Sequence, residues 1–184
     1  MERPLTVRLA CPDDIPGIRS LIEQSVMTLQ AADYSQEQRE GALGTVFGVD
    51  RRLIEDGTYF VIEGVAGQLA ACGGWSRRRT LFGSDDIPGK DDSWLNPAID
   101  AARIRAFFVH PGWARQGLGT MILAACESAA RAAGFTRLEL GATLTGIPLY
   151  ARCGFHELDR VEVALPNGAH LPIVRMAKDM PLER

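Results

Sequence analysis

The sequence predicts an α/β domain built on a mixed sheet. Three observations carry this. The apolar period switches repeatedly between helical and strand spacing, in the order β-α-α-β-β-β-α-β-α-β-β. The strand-like stretches are rich in β-branched and aromatic residues and are bounded by glycine or proline. The 184 residues, 46% of them hydrophobic, suit a single domain spanning 1–184 with a full core.

Each element has a local cause. Residues 5–10 alternate as a strand. Asp13 then stands where a helix cap belongs, ahead of Ile15, Ile18, Leu21, Ile22 and Val26 at helical spacing, with Pro16 in the first turn, where proline is tolerated. Residues 35–46 read as a second helix with an acidic start at Glu37 and Glu40, and residues 50–56 as a short third helix ended by Gly57. The period then changes. Residues 58–63 (T-Y-F-V-I-E) and 68–75 read as a hairpin around Gly64 and Gly67. Residues 77–100 are a loop by composition, with Gly83, Ser84, two Asp-Asp pairs, Pro88, Gly89 and Pro97. A loop of that length inside a compact domain is uncommon and is often functional.

Residues 102–109 (A-R-I-R-A-F-F-V) form the next strand, which Pro111 and Gly112 end. Residues 118–133 make the clearest helix. Leu118, Met121, Ile122, Ala125 and Ala129 form its apolar stripe, Glu127 and Arg131 an i, i+4 pair, and Gly134 its stop. A strand over 136–142 and a short helix over 145–153 follow. Residues 155–164 and 171–178 close the chain as a hairpin around Pro166, Asn167 and Gly168.

Composition excludes several classes of function. Twenty basic residues against 23 acidic give a net charge of −3, so neither nucleic acid nor an anionic membrane is expected as a partner. The only basic cluster is Arg77, Arg78 and Arg79, which reads as a solvated loop. Cys11, Cys72, Cys126 and Cys153 have neither zinc-site nor disulfide-framework spacing and read as small core fillers. No metal is expected. No apolar run approaches a membrane span, and Met1, Glu2, Arg3 and Pro4 carry no signal-peptide core, so a cytoplasmic location is the default expectation.

The informative segment runs from Val109 to Thr120, V-H-P-G-W-A-R-Q-G-L-G-T. A strand end, a glycine-bearing turn and a helix start leave unpaired N–H groups at the positive end of a helix dipole, a site for phosphate or pyrophosphate. Gly117 and Gly119 lack a Cβ and let an anion approach the backbone. Two common nucleotide patterns fail here. Leu118 stands where a P-loop needs lysine, and Ile122 where a dinucleotide fingerprint needs its third glycine.

The segment resembles the Gcn5-related N-acetyltransferase superfamily, whose pattern is V-x-P-x-x-[RQ]-x-x-G-x-[GA]. Val109, Pro111, Gly117 and Gly119 match; Ala114 stands where Arg or Gln is usual, with Arg115 and Gln116 just after it. Downstream, Tyr150, Gly154 and Phe155 match the family's Tyr ahead of a Gly-Phe pair, while Thr143 and Gly146 stand where Asn and Ala are frequent. The element order fits as well; the N-terminal third matches in pattern only.

The resemblance implies an acyl-CoA N-acyltransferase fold: a mixed, mostly antiparallel twisted sheet with a central V-shaped splay, flanked by helices. It implies acetyl-CoA as cosubstrate, held between the strand ending at Val109 and the strand over 136–142. Phe107, Phe108, Val109, Ala114, Arg115, Gln116, Gly117, Leu118, Gly119, Thr120 and Thr143 are the expected cofactor-binding positions. An N–H near Val109 would polarise the thioester carbonyl. A small-molecule or peptide amine would attack directly, in keeping with the lack of a G-x-S-x-G nucleophile. Tyr150 is the expected catalytic acid, with a packing role as the alternative. No carboxylate lies on the strand 104–109; Glu139 is the carboxylate candidate for a base against a solvated strand face, and His110 a turn residue or a base. Trp75, Phe82 and Trp94 either wall the acceptor pocket or cover a sheet edge. A non-catalytic acyl-CoA sensor on the same fold is the alternative function, and homodimerisation stays open.

Overall fold

The computed structural model describes residues 5–181; the N-terminal Met1 to Pro4, read above for its lack of an apolar leader, lies outside them. Seven strands form one sheet in the order β1-β2-β3-β4-β5-β7-β6. They are β1 (Val7–Leu9), β2 (Tyr59–Glu63), β3 (Leu69–Ser76), β4 (Ala102–Val109), β5 (Arg137–Ala142), β6 (His156–Ala164) and β7 (His170–Asp179). Every pairing is antiparallel except that of β4 with β5. Five α-helices accompany them: α1 (Ile15–Leu29), α2 (Gln36–Ala42), α3 (Arg51–Glu55), α4 (Leu118–Ala132) and α5 (Ile147–Arg152). Among the described residues, no helix is long and apolar enough to cross a membrane.

The sheet separates two apolar layers. On β2, alternation sends Tyr59 and Val61 to one layer and Ile62 to the other. The first layer joins them to Ile18, Leu21, Ile22 and Val26 of α1 and to Phe108. The second packs Ile62, Ala71, Ile104, Leu138 and Leu140 against Leu118, Ile122, Leu123, Cys126 and Ala130 of α4.

Several expectations need correction. The cap at the first helix is not Asp13. Asp14 accepts the Cys11 N–H at 2.8 Å and takes both Arg8 guanidinium nitrogens at 2.8 and 2.9 Å, so it ties β1 to the helix. The stripe of α4 runs through Leu118, Ile122, Cys126 and Ala130 with Gly119 and Leu123 beside it. Met121, at 37% exposure, faces outward. Glu127 does not pair with Arg131; it takes Lys178 of β7 at 2.7 Å, because that strand passes beside the helix. Cys72 and Cys126 are buried as core fillers, but Cys11 is exposed.

Residues 77–100 form the expected loop, and it folds back on itself, so that Arg78 is not solvated as its cluster suggested. Leu95 N–H donates to the Arg77 carbonyl at 2.7 Å, and Asp91 and Thr80 are linked three times, at 2.7, 2.8 and 3.1 Å. Arg78 is held by both Asp56 oxygens at 2.7 and 2.8 Å and lies 4.0 Å from the centre of the Trp94 ring. A bidentate pair and a ring contact fix this arginine, which sequence pattern alone reads as free.

Candidate active site

The parallel pair β4 and β5 separates almost at once. Only Ala102 with Leu138 and Arg103 with Glu139 are in register; beyond them the strands diverge. This is the expected V-shaped splay. It opens a cleft of about 480 Å³ whose walls come from α1, the 77–100 excursion, β4, the start of α4, β5 and α5.

A bulge in β4 shapes one wall. Cys72 pairs with Phe108 and Gly74 with Arg105, so Ala106 and Phe107 together oppose Gly73. Ala106 has φ +56°, an unusual conformation for alanine. Its carbonyl accepts the Tyr59 hydroxyl at 3.1 Å. Phe107 turns its ring against Gly73; a Cβ there would meet it at 2.7 Å. Phe108 borders the cleft while its ring meets Phe47 edge-on, 6.0 Å between centres.

The glycine segment forms the second wall. His110 Nδ1 accepts the Gly112 N–H at 3.0 Å, which tightens the turn over Pro111–Trp113 and leaves Nε2 to donate to Gln24 Oε1 at 3.0 Å. His110 is thus a turn residue outside the cleft lining. Arg115 at φ +61° and Gly117 at φ +79° then reverse the chain into α4. The first helical bond reaching back runs from Met121 N–H to Gly117 at 3.0 Å. Among the described residues, none of the N–H groups from 115 to 120 finds a protein acceptor. Six consecutive free amides at a helix start form an anion cradle. Val109, Ala114, Arg115, Gly117, Leu118, Gly119 and Thr120 all line the cleft. Gln116 does not; it is exposed.

Tyr150 lies between these walls, 7% exposed. Its ring meets Phe107 and Phe155 edge-on, with centres 6.1 and 5.7 Å apart. Burial pushes its phenol well above the ordinary range, with the Cys126 and Cys153 thiols adding to it. It therefore keeps its proton. Thr143 lines the cleft and its Oγ1 accepts the Gly146 N–H at 3.0 Å, bracing the turn before α5. Arg152, one turn on from Pro148, adds a further cation to the cleft besides Arg105 and Arg115.

Other candidates fall elsewhere. Glu139 is bound to Arg103 Nη1 at 2.8 Å at the closed end of the splay and does not reach the cleft. Trp75 is core, edge-on to Phe135 at 6.1 Å. Trp94 is exposed beneath Arg78. Phe82 alone of the three aromatics enters the cleft lining, over Gly141 of β5. Residues that sequence reading missed are Ser25 of α1, Gln30 at the C-terminal cap of that helix and Arg105 of β4. Arg105 is almost fully buried, held by Asp50 at 2.8 Å and by the Gly83 and Thr80 carbonyls at 2.6 and 3.0 Å. An arginine among apolar residues in A-R-I-R-A was the available signal; Asp50, 55 positions away, was not.

A mostly antiparallel sheet splayed at its one parallel pair, with free amides at the mouth, defines the acyl-CoA N-acyltransferase fold. The chain belongs to the Acetyltransferase (GNAT) family, whose model matches residues 24–155. Solved structures agree on the fold. A GCN5-related N-acetyltransferase from Rhodopseudomonas palustris is 21% identical, with 98% of each chain covered and a TM-score of 0.71. The PaiA N-acetyltransferase from Thermoplasma acidophilum, in complex with coenzyme A, is 13% identical over 96% of this chain and 99% of that one, at 0.64. The yncA acetyltransferase from Salmonella typhimurium, with acetyl-CoA, is 19% identical over 99% and 97%, at 0.64. No curated protein matches the sequence.

Proposed function

We propose that the protein moves an acetyl group from acetyl-CoA to the nitrogen of a small-molecule amine. The observation that carries this reading is the run of free amides from 115 to 120 sharing one cleft with the buried, protonated Tyr150. The residues fit the cosubstrate. The amides and the helix dipole suit a pyrophosphate, Arg115 and Arg152 suit further phosphate charge, and the unpaired strand edges of the splay suit the amide groups of a pantetheine arm. The bulge peptide at Phe107 supplies an N–H for a carbonyl oxygen that gains charge.

When bound, acetyl-CoA supplies an acyl carbon activated by its thioester. The chain's own residues hold it, orient it and keep a proton ready. The amine nitrogen forms the new bond to the acyl carbon, the carbon–sulfur bond breaks, Tyr150 donates its proton to the departing sulfur, the nitrogen releases one to solvent, and the Tyr150 phenolate takes one back from solvent. The ammonium-free nitrogen needs no protein nucleophile. Coenzyme A release in a screen of amines, amino acids, polyamines and peptides tests the reading. Binding of acetyl-CoA without release from any acceptor would leave the sensor alternative in its place.

A further inference from the structure

The cleft contains cations and neutral groups but no carboxylate. Among the described residues that line it, none is Asp, Glu, His or Lys; the ionisable ones are Arg105, Arg115, Arg152 and Tyr150. The acidic residues of the neighbouring segments stay out of the lining. Asp50 holds Arg105 at 2.8 Å and Lys90 at 3.1 Å, so two cations share one buried carboxylate. Asp85 is bound by the Arg51 N–H and guanidinium, at 2.8 and 3.1 Å, and lies 3.8 Å from Lys90. Asp33, just beyond α1, is exposed and accepts the Thr145 hydroxyl at 2.7 Å; it and Glu162 of β6 bear on the Tyr34 hydroxyl, which burial raises to about 12. Glu23 of α1 lines a separate hollow.

Leu29, Phe47, Phe82 and Ile173 line the same cleft as two polar side chains, Ser25 and Gln30. Gln30 is 5% exposed, and its Oε1 is buried without a hydrogen-bond partner. A buried amide oxygen without a donor points to a ligand that brings one.

On the reading that the protein is an acetyltransferase, we propose that its acceptor is a weakly basic amine on an apolar body, which enters uncharged and donates an N–H to Gln30. Among the described lining residues a strongly basic ammonium finds no carboxylate to pair with and no base to deprotonate it, while Arg105, Arg115 and Arg152 are all cationic. Only the neutral fraction in bulk water reacts. That fraction at pH 7 is about one in ten for an α-amine of pKa about 8, and roughly one in several thousand for an alkylamine near 10.4.

Phenylalaninamide and 2-phenylethylamine share an apolar body and differ in basicity, so they serve as probes. The expected result is a kcat/KM that rises with pH for each and levels at that amine's own pKa. The amide is preferred by roughly 10²-fold at pH 7, and the two come within about tenfold at pH 10. Gln30→Glu places a carboxylate at the nitrogen and raises the alkylamine's kcat/KM at pH 7 at least tenfold relative to the amide. Gln30→Leu lowers both without altering acetyl-CoA affinity. A plateau at one common pH for both amines reveals a base in the enzyme and overturns the proposal, as does an alkylamine preference at pH 7 or an unchanged ratio in a folded Gln30→Glu protein. Release with both amines but without these trends leaves the acetyltransferase reading intact; no release from any amine at any pH removes both.

Discussion

The Tyr59 hydroxyl donates to the Ala106 carbonyl at 3.1 Å from beneath the β4 bulge. The carbonyl of Ala106 and the N–H of Phe107 belong to one planar trans peptide and point in opposite directions. Drawing the carbonyl toward Tyr59 turns the Phe107 N–H the other way, which sets the donor assigned to the acyl oxygen. Tyr59 is fully buried, and burial raises its phenol far above the usual range, so it acts as a donor at any working pH. Tyr59→Phe keeps the ring and removes the hydroxyl. Stability should fall by about 1 kcal/mol, the ordinary worth of a hydrogen bond. Turnover should fall about tenfold or more, since one oxyanion donor is worth at least that. The acetyl-CoA Kd should hold, which calorimetry checks; a kcat equal to the parent's would detach the bulge from Tyr59.

Tyr150→Phe probes the proposed acid. The ring contacts with Phe107 and Phe155 survive, so acetyl-CoA affinity should change little. Turnover should drop roughly 10²–10⁴-fold where chemistry limits the rate. Because burial raises this phenol, the parent should show no falling limb from it between pH 6 and 10. Such a limb, absent in the Phe variant, would place the Tyr150 pKa inside that range.

Thr120 lies in the first turn of α4, exposed, with its N–H among the six free amides. A carboxylate there suits the helix dipole, so Thr120→Glu should leave the ligand-free fold as stable as the parent or about 0.5 kcal/mol better. The same charge opposes a pyrophosphate. The thermal shift given by saturating acetyl-CoA, about 2.7 kcal/mol at 100 times Kd, should largely disappear. An undiminished shift would move the phosphate site away from this helix start.

Asp14 predicts an acid-sensitive contact. Its two bonds to Arg8 and the Cys11 N–H bring its carboxyl down from 3.8 to about 2. A depressed carboxylate contributes stability that is complete above its unfolded pKa and is lost as pH falls from about 4 through about 2. With Arg8 partly solvated, the contribution is about 1 kcal/mol after screening. Asp14→Asn should therefore lower the denaturation midpoint at pH 7 and leave it close to the parent's at pH 2. A constant difference across that range would assign the loss to packing.

What was legible in the chain followed its local patterns. β4 has the same limits in sequence and structure because alternation begins after Ala101 and Pro111 cannot continue a ladder. The amide cradle was legible because glycine spacing and a helix start are both local. The α4 stripe was read slightly out of phase because alanines on several faces blur its apolar edge. The splay came only with the family resemblance, since nothing local says that β4 and β5 stop pairing after two residues. Gln30 and Arg105 escaped because their meaning depends on partners from distant segments. A glutamine at a helix end is ordinary until α1 is packed over the cleft. The two Asp-Asp pairs of 77–100 likewise find partners that spacing does not reveal: Asp85 is bound by Arg51, and Asp91 and Asp92 lie near Arg79 and Arg52 at 3.8 and 3.5 Å.

Phe82 is the one residue of the 77–100 excursion whose aromatic ring is positioned to choose the acceptor. It is carried to the cleft by anchors on either side: Arg105 takes the Thr80 and Gly83 carbonyls, and Ser84 N–H reaches the Thr45 carbonyl at 2.7 Å. Its ring lies so close to Gly141 of β5 that a Cβ there would stand 2.7 Å from Cδ1, with Ile173 Cγ2 at 3.2 Å on the far side. Two substitutions therefore disturb one wall from opposite sides. Phe82→Ala widens it; Gly141→Ala pushes the ring into the space. If this wall holds the apolar body of the acceptor, Phe82→Ala should raise KM for a bulky amine far less than for a compact one, and Gly141→Ala should do the reverse. Burial of an aromatic contact is worth about 1.5–3 kcal/mol, so kcat/KM for the best acceptor should fall roughly tenfold to a hundredfold in the first variant. The acetyl-CoA Kd should stay within twofold in both, because the amides of 115–120 belong to a different wall. Both variants keeping the parent's ranking of large and small acceptors would exclude Phe82 from recognition, and the acceptor's apolar body would then have to rest against Leu29 and Phe47 alone.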